Sequence, residues 1–299
     1  MKNTYSLIEF QQKYNTQEAC EDTLINLKWK NGFVCPICGH THYYKIGGRK
    51  LHLYQCKDCG HQTTVIKDTI LENTKLSLIQ WFIAFYFVAQ NKNGISEISL
   101  SKTIGISLKS AWLMLHKIRK AMAERDERYI LGGNIEMDEA FFGGKKEGKR
   151  GRGSKKTIVA VALQVDEGKY PAYIKMEVVD NCKGETLLTF ANKNIKEGST
   201  INSDAFRSYC KLEGCYDSRR KTYNPGEDFE YLKWVHVMIS NIKSIIEGTY
   251  HGLYKTYLQR YLDEFCYRFN RRHSQKPILD HLMECCVLST YRKASEVCI

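Results

Sequence analysis

Four cysteines near the start of the sequence have the spacing of metal ligands. Cys35 and Cys38 form one C-x-x-C motif, and Cys56 and Cys59 form a second. Zinc prefers four soft ligands in a tetrahedron, and each motif supplies two thiolates from one tight turn. Strand-like residues broken by glycines separate the motifs and favour a hairpin. The spacing predicts a zinc ribbon over residues 31–70, with redox pairs and free thiols as the alternatives.

A second group of candidate residues is acidic. Asp138 lies in the strand-like segment NIEMDEAFFGG, and Asp204 ends the short strand predicted within STINSDAFRSY. If these strands are neighbours, the two carboxylates converge at one edge of a sheet. Mg²⁺ takes oxygen ligands, and a pair of such ions can activate a water or a 3′-hydroxyl against a phosphodiester. Asn241 and Glu247, on the helix after residue 230, are candidate third ligands.

Structural roles are also open for these acids. An aspartate on a strand can cap a helix, pair with a lysine or face solvent. The residue types alone therefore do not decide between a metal site and an ordinary polar surface.

The composition bounds the class of protein. The chain has 299 residues, 43% of them hydrophobic, and a net charge of +12, enough for a sizeable core and two or more domains. The positive charge favours an anionic partner such as nucleic acid, although a merely basic protein also fits. Twelve cysteines and a polar start predict a reducing, cytoplasmic location. The longest apolar run, residues 81–89, is too short to span a membrane.

Helical patterns fill residues 1–30, a lead-in, and residues 71–128. Within the second region, ISEISLSKTIGISLKSAWLMLHKIRKAM has two helical segments with Gly105 at the turn. This layout predicts a helix-turn-helix whose second helix enters a major groove; an ordinary helical hairpin is the alternative. The expected buried face comprises Leu108, Ala111, Trp112, Leu115, Ile118 and Met122. The expected DNA-binding residues off that face are Lys109, Ser110, Lys117 and Arg119.

Residues 129–275 change character. Three strand patterns, a helix, another short strand and two helices predict a mixed α/β domain. Residues 276–299 are expected to form a last short helix and a tail. Arg260, Arg268, Arg271 and Arg272, on the late helix, are candidates for DNA contacts or for packing.

A dense basic run follows the first acidic strand. Interleaved glycines favour a flexible hairpin loop able to follow a phosphate backbone, although a solvated loop without a partner is also open. Its cations are Lys145, Lys146, Lys149, Arg150, Arg152, Lys155 and Lys156.

The ordered set of motifs resembles a known family. CPIC, CKDC, the two-helix segment, EMDEAFFGG, INSDAFRSY and VHVMISNIKSIIEG…YLDEFCYRFNRR occur in this order. They resemble the bacterial insertion-sequence transposases of the IS1595 family, which carry a zinc ribbon and an ISXO2-like, RNase H-like DDE domain. The resemblance covers roughly residues 15–275, and the shared order is more specific than any single motif.

The resemblance implies a site and an activity. Asp138 and Asp204 match the first two acids, and Asn241, five residues after His236, matches the third position, where many relatives carry Glu. The implied protein holds structural Zn²⁺ and catalytic Mg²⁺ or Mn²⁺. It binds double-stranded DNA at inverted repeats, cleaves the ends and joins 3′-hydroxyls to target DNA as a homo-oligomer on paired ends. It would be associated with the nucleoid.

Two other readings stay open. Asn241 lacks a charge and cannot act as a base, so the chain could be a non-catalytic DNA-binding protein derived from a transposase. An RNase H-like nuclease or resolvase that cuts without joining is the third possibility.

Overall fold

The structure is a computed structural model that describes residues 5–47, 50–143, 156–166, 170–222, 224, 230–250 and 253–290. The chain divides into two compact units, Met1–Arg125 with Ser274–Ile299, and Asp126–His273. In chain order the elements are α1 (Leu7–Lys13), α2 (Gln17–Lys28), β1 (Tyr43–Ile46), β2 (Leu53–Cys56), β3 (Gln62–Thr63), α3 (Leu78–Gln90), α4 (Glu97–Ile104), α5 (Leu108–Asp126), β4 (Asn134–Phe142), β5 (Thr157–Asp166), β6 (Tyr170–Val179), α6 (Gly184–Asn194), β7 (Thr200–Asp204), β8 (Asp217–Lys221), α7 (Lys233–Thr249), α8 (Leu258–Asn270) and α9 (Ile278–Leu288).

The first unit combines a small sheet with helices. The sheet has the order β1-β2-β3 and is antiparallel. Phe33, Trp29 and Tyr54 pack around it. Buried Glu21 of α2 accepts hydrogen bonds from the backbone of His52 at 3.1 Å and from the hydroxyl of Tyr54 at 3.0 Å. These contacts fix the sheet against α2.

The helices of this unit begin and end at identifiable residues. Ser77 caps α3 in a capping box with Gln80. Ser96 caps α4, which ends at Gly105 in the left-handed conformation with φ of +67°, a geometry that favours glycine. Three residues separate α4 from α5, as the sequence predicts. The interaction of this pair with DNA stays a prediction.

The last helix returns to the first unit. Glu284 of α9 pairs with Lys30, and Tyr5 donates a hydrogen bond to Asp280 at 3.4 Å. The sequence predicts the helix but not this return, because the partners lie at the opposite end of the chain.

The second unit is built on a mixed five-stranded sheet of order β6-β5-β4-β7-β8. The β6–β5 and β5–β4 pairs are antiparallel, and the β4–β7 and β7–β8 pairs are parallel. Apolar side chains of α7 and α8 pack on one face. Side chains of α6 and of the 3-10 turn Arg207–Leu212 pack on the other. The mixed α/β prediction is confirmed, although the edge strand β8 was not predicted.

Two arginines that directly follow α8 have structural partners. Arg271 is buried, bonds Asp126 at 2.7 Å and lies 3.6 Å from the ring centroid of Tyr267. Arg272 donates to the backbone oxygen of Ala172 at 2.8 Å. The packing alternative therefore holds for these two residues.

Candidate zinc centre and carboxylate site

The four ribbon cysteines converge on one point. Their sulfur atoms all lie within 4.8 Å of one another. The Cys35–Cys59 and Cys38–Cys56 sulfur pairs are 3.6 and 3.5 Å apart. A tetrahedral zinc with Zn–S bonds of ~2.3 Å requires sulfurs ~3.8 Å apart, so the thiols fit Zn²⁺ with little movement. Among the residues that the structure describes, no other group of three or more His, Cys, Asp or Glu side chains has its ligand atoms this close together.

The two halves of the centre repeat one local structure, C-x-x-C-G-H. Gly39 and Gly60 follow the second cysteine of each motif with φ of +75° and +72°. The backbone N–H of Cys35 donates to the oxygen of His40, and that of Cys56 donates to the oxygen of His61, both at 2.9 Å. Each turn therefore aims its thiols through backbone geometry alone.

The thiols also influence one another's ionisation. Burial alone would raise the pKa of Cys35, but the backbone N–H groups of Cys38 and Ile37 and the thiol of Cys59 lower it to about 7. The backbone hydrogen bond of His40 lowers the pKa of Cys38, but burial and the neighbouring sulfurs outweigh it and raise this pKa to about 12. Close thiols that oppose a second ionisation suit a central cation, which favours the thiolates.

The two aspartates are aligned on neighbouring strands. Strands β4 and β7 pair in parallel from Asn134↔Thr200 to Glu136↔Asn202. Asp138 and Asp204 each lie two residues beyond the last pair, so the same register, if continued, would place them opposite one another. Adjacent strands are ~4.8 Å apart, a spacing at which two carboxylates can share a divalent cation.

Glu136 supplies the contact that positions α7. Its carboxylate is buried and accepts the backbone N–H of Val235 at 2.7 Å. Helix α7 has no side-chain cap of its own, because the preceding residue is Leu232 with φ of +55°. Burial raises the pKa of Glu136, against the hydrogen bonds from Val235 and Trp234. A strand carboxylate therefore caps a helix that is distant in sequence.

The cap at Val235 also positions the next residue, His236. It lies in the first turns of α7, and its Nε2 is 3.3 Å from Oδ2 of Asp138. The hydrogen bond to Asp138 raises the pKa of His236, burial opposes this, and the charges of Asp138, Glu136 and Asp204 raise it further. In the sequence analysis His236 serves only to locate Asn241, and its contact with the carboxylate of Asp138 is not predicted.

Tyr209 is buried on the opposite face of the sheet from α7. Burial raises its pKa well above the ordinary value, and the charges of Glu139, Asp138 and Asp204 act in the same direction. The third acid of the opening strand, Glu139, belongs to this face because side chains alternate along β4.

Asn241 is placed differently from the two aspartates. It is exposed on α7, five residues after His236. At ~100° per residue, it lies ~140° around the helix from His236, whereas Lys243 lies only ~20° away. Burial and then the charge of Lys156 lower the pKa of Lys243, and Asp138 opposes this. The helix therefore turns Lys243, rather than Asn241, toward the side of Asp138.

Two predicted DNA-binding residues of α5 are buried. Lys117 is 9% exposed and donates to the backbone oxygen of Ile70 at 2.8 Å, and Arg119 is 1% exposed and bonds Glu97 at 3.0 Å. The prediction that they lie off the buried face is wrong, because α5 is enclosed on more sides than one apolar stripe implies. Lys109 is exposed and Ser110 half-buried. Leu108, expected in the buried face, is 52% exposed.

The basic run is mostly beyond the described residues. Lys156 lies just before β5 and is half-buried. The predictions for the other cations fall outside the described ranges; these are Lys145, Lys146, Lys149, Arg150, Arg152 and Lys155.

Comparison with known proteins defines the class. Residues 130–270 match the ISXO2-like transposase domain, and residues 15–62 match the transposase zinc-ribbon domain. By domain content the chain therefore resembles a zinc-ribbon transposase. Both matched domains are those of the IS1595 transposase family.

Individual relatives are more distant. The chain is 25% identical over 243 residues to the "uncharacterized protein in transposable element ISH50" of Halobacterium salinarum, covering 74% of this chain and 79% of that protein. A chain of the Mos1 strand transfer complex is 10% identical with a TM-score of 0.23, covering 66% of this chain and 78% of that one. A chain of a pre-cleavage Mos1 transpososome is 11% identical with a TM-score of 0.22, covering 67% of this chain and 76% of that one.

Over the described ranges, no helix combines the length and the apolar character needed to cross a bilayer.

Proposed function

We propose that this transposase binds the terminal inverted repeats of its insertion sequence, cleaves at the ends and joins the 3′-hydroxyls to target DNA. The observation that carries the proposal is the alignment of Asp138 with Asp204 within the matched transposase domain. The strand order of the sheet supports an RNase H-like class for residues 129–275. The α4–α5 pair, with Lys109 exposed, supports a helix-turn-helix role in DNA binding.

Asp138 and Asp204 would hold Mg²⁺ or Mn²⁺, which when bound polarises the scissile phosphate and activates the attacking hydroxyl or water. His236 orients the Asp138 carboxylate through its Nε2. Lys243 lies on the same side of α7 and offers a cation to the phosphate backbone. Asn241 as the third ligand is supported by the family resemblance and not by its position on the helix.

Structural zinc and the assembly are part of the same proposal. The ribbon thiols would hold one Zn²⁺ that fixes the hairpin. Two copies of the chain would bring two element ends together, because both ends must be joined to one target.

Cleavage by the purified protein tests the proposal. With Mg²⁺, the wild type should nick duplex DNA that carries the element's ends. Asp138→Ala and Asp204→Ala should remove nicking and preserve end binding. The matched control is Asp217→Asn, an exposed acid on the adjacent strand that pairs with Arg219 at 2.8 Å. Normal cutting by either alanine variant would refute the assignment.

A non-catalytic DNA-binding protein is the second candidate, favoured by the exposed, uncharged Asn241. The comparison is wild type beside Asn241→Glu. Binding to the ends without Mg²⁺-dependent cleavage in either protein supports this candidate. Cleavage without joining would instead indicate a nuclease or resolvase.

A further inference from the structure

The outer face of the ribbon sheet carries a polar row that the zinc centre does not use. Tyr44 pairs in register with Gln55, and Gln55 pairs with Gln62, so one residue from each strand contributes to the row. The inner face of the same strands is occupied by the buried residues Tyr54 and Cys56. Side chains alternate along strands, so the row points away from that core. We call Tyr44, Gln55 and Gln62 the outer row.

The two amides are pre-arranged. Nε2 of Gln62 donates to Oε1 of Gln55 at 3.3 Å. This bond leaves the Nε2 of Gln55 as a donor and the Oε1 of Gln62 as an acceptor. The Nε2 of Gln55 also lies 3.8 Å from the position that a side chain at Gly60 would occupy.

Positive charge flanks the row. Lys57 is exposed, and its Nζ lies 4.7 Å from the ring centroid of Tyr44, which is 58% exposed. Among the described residues of 31–66, Lys45, Lys50 and Lys57 are accompanied by a single acid, Asp58. This balance complements a phosphate backbone.

The dimensions suit duplex DNA. Three strands at ~4.8 Å spacing give a face ~10 Å across, close to the ~12 Å width of a major groove. Glutamine amides can pair with the N6 and N7 edge of adenine, and sheets are established elements for entering a groove.

From these observations we infer that the outer row reads bases in the major groove of duplex DNA, with Lys57 on an adjacent phosphate. This inference rests on the proposed function and adds a base-reading surface to it. It places sequence recognition in the ribbon, in addition to any contribution from α4 and α5.

Selection from a random duplex pool tests the inference with the full-length, zinc-loaded chain and no added Mg²⁺, so that binding is separate from cleavage. The wild type should enrich a motif. A Gln55→Ala/Gln62→Ala variant should lose its preference at the contacted positions and bind the wild-type motif about 10- to 100-fold more weakly. Its affinity for scrambled duplex should stay within about twofold of the wild type.

Two lysines of the same hairpin give a matched pair. Lys57→Ala should weaken binding to all duplexes and reduce the salt dependence by about one phosphate contact. Lys45→Ala should reduce the salt dependence less than Lys57→Ala, because Lys45 is exposed but pairs with Tyr54, on the face of the sheet opposite to the outer row. One zinc per chain in every variant verifies that the ribbon is folded.

The outcomes separate the two proposals. A wild type that binds no duplex DNA overturns the proposed function. A wild type with a motif that the double variant retains overturns the outer row alone. Base reading in a major groove is also contradicted if the double variant binds the motif and the scrambled duplex equally more weakly. It is contradicted as well if the double variant loses affinity only for single-stranded DNA.

Discussion

The zinc centre and the carboxylate site bring their side chains together by different means. The cysteines lie within residues 35–59, and two nearly identical turns aim them. Asp138 and Asp204 lie on strands separated along the chain by two strands and a helix, so the register of the sheet aligns them. A local site depends on turn chemistry, whereas the long-range site depends on the whole second unit. Single substitutions should therefore have different consequences in the two.

The largest effect is expected in the local site. Cys35→Ser should lose the zinc and unfold the ribbon, because three short strands bury too little to be stable without metal. Zinc content and near-ultraviolet circular dichroism measure this. Cys210→Ser, at an exposed cysteine outside the cluster, should keep one zinc per chain. Retention of zinc by Cys35→Ser would show that the four thiols are not the ligands.

The next effect concerns His236, which contacts Asp138. His236→Ala should lower the cleavage rate by about 10- to 100-fold, the usual cost of losing a residue that orients a metal ligand. It should leave the free energy of unfolding nearly unchanged, since His236 is 40% exposed. Single-turnover cleavage and urea unfolding provide both values.

Asn241→Ala, on the same helix, is the comparison for His236. Its position ~140° around α7 predicts a smaller loss of activity than that of His236→Ala. The reverse order would support Asn241 as the ligand and would require α7 to rotate when metal and DNA bind.

A moderate effect is expected where the sheet caps α7. Glu136→Ala should lower the free energy of unfolding of the second unit by about 1 kcal/mol, as for other helix caps. Glu136→Gln should cost less, because the amide oxygen can still accept from Val235. Urea titration compares the variants. Equal stability of Glu136→Ala and the wild type would remove the capping role.

The smallest effect is a pH dependence in the first unit. Hydrogen bonds from Lys276 and Lys30 lower the pKa of Glu284 to about 2, from an ordinary value of 4.5. Because the folded pKa is depressed, the stabilisation is present above pH ~4.5 and is lost as the pH falls toward ~2. The group is partly exposed, so solvent screening limits it to under ~1 kcal/mol.

The comparison for this group is Glu284→Gln. The variant should be slightly less stable than the wild type near neutral pH, and the difference should shrink at about pH 3. A constant difference across this range would mean that the carboxylate charge does not hold α9 to Lys30.

The sequence predicted the two sites to different extents for a physical reason. The C-x-x-C spacing contains the zinc geometry almost completely, because the turns are local. The sequence also predicts that Asp138 and Asp204 lie on strands, but the register between these strands follows from the pairing of β4 with β7. Strand β8 has the sequence DSRRK, and its polar side chains are mostly exposed. It therefore lacks the alternation of apolar and polar residues from which a strand is predicted.

Other errors arose from side chains with two possible roles. Lys117 and Arg119 were predicted to contact DNA, but a long cationic side chain can equally satisfy a buried carbonyl or carboxylate. Glu136 carried a usable signal, since it lies two residues before Asp138 and therefore on the same face of β4. Its helix partner, however, lies 99 residues further along the chain.

The most direct test of the carboxylate site is Mn²⁺ binding, followed by electron paramagnetic resonance, in wild type, Asp138→Asn and Asp204→Asn. If both aspartates hold the same cation, each substitution should weaken Mn²⁺ binding by a comparable factor while the ribbon zinc stays in place. Undiminished Mn²⁺ binding in either variant would show that the two carboxylates, although aligned on adjacent strands, do not share a metal ion.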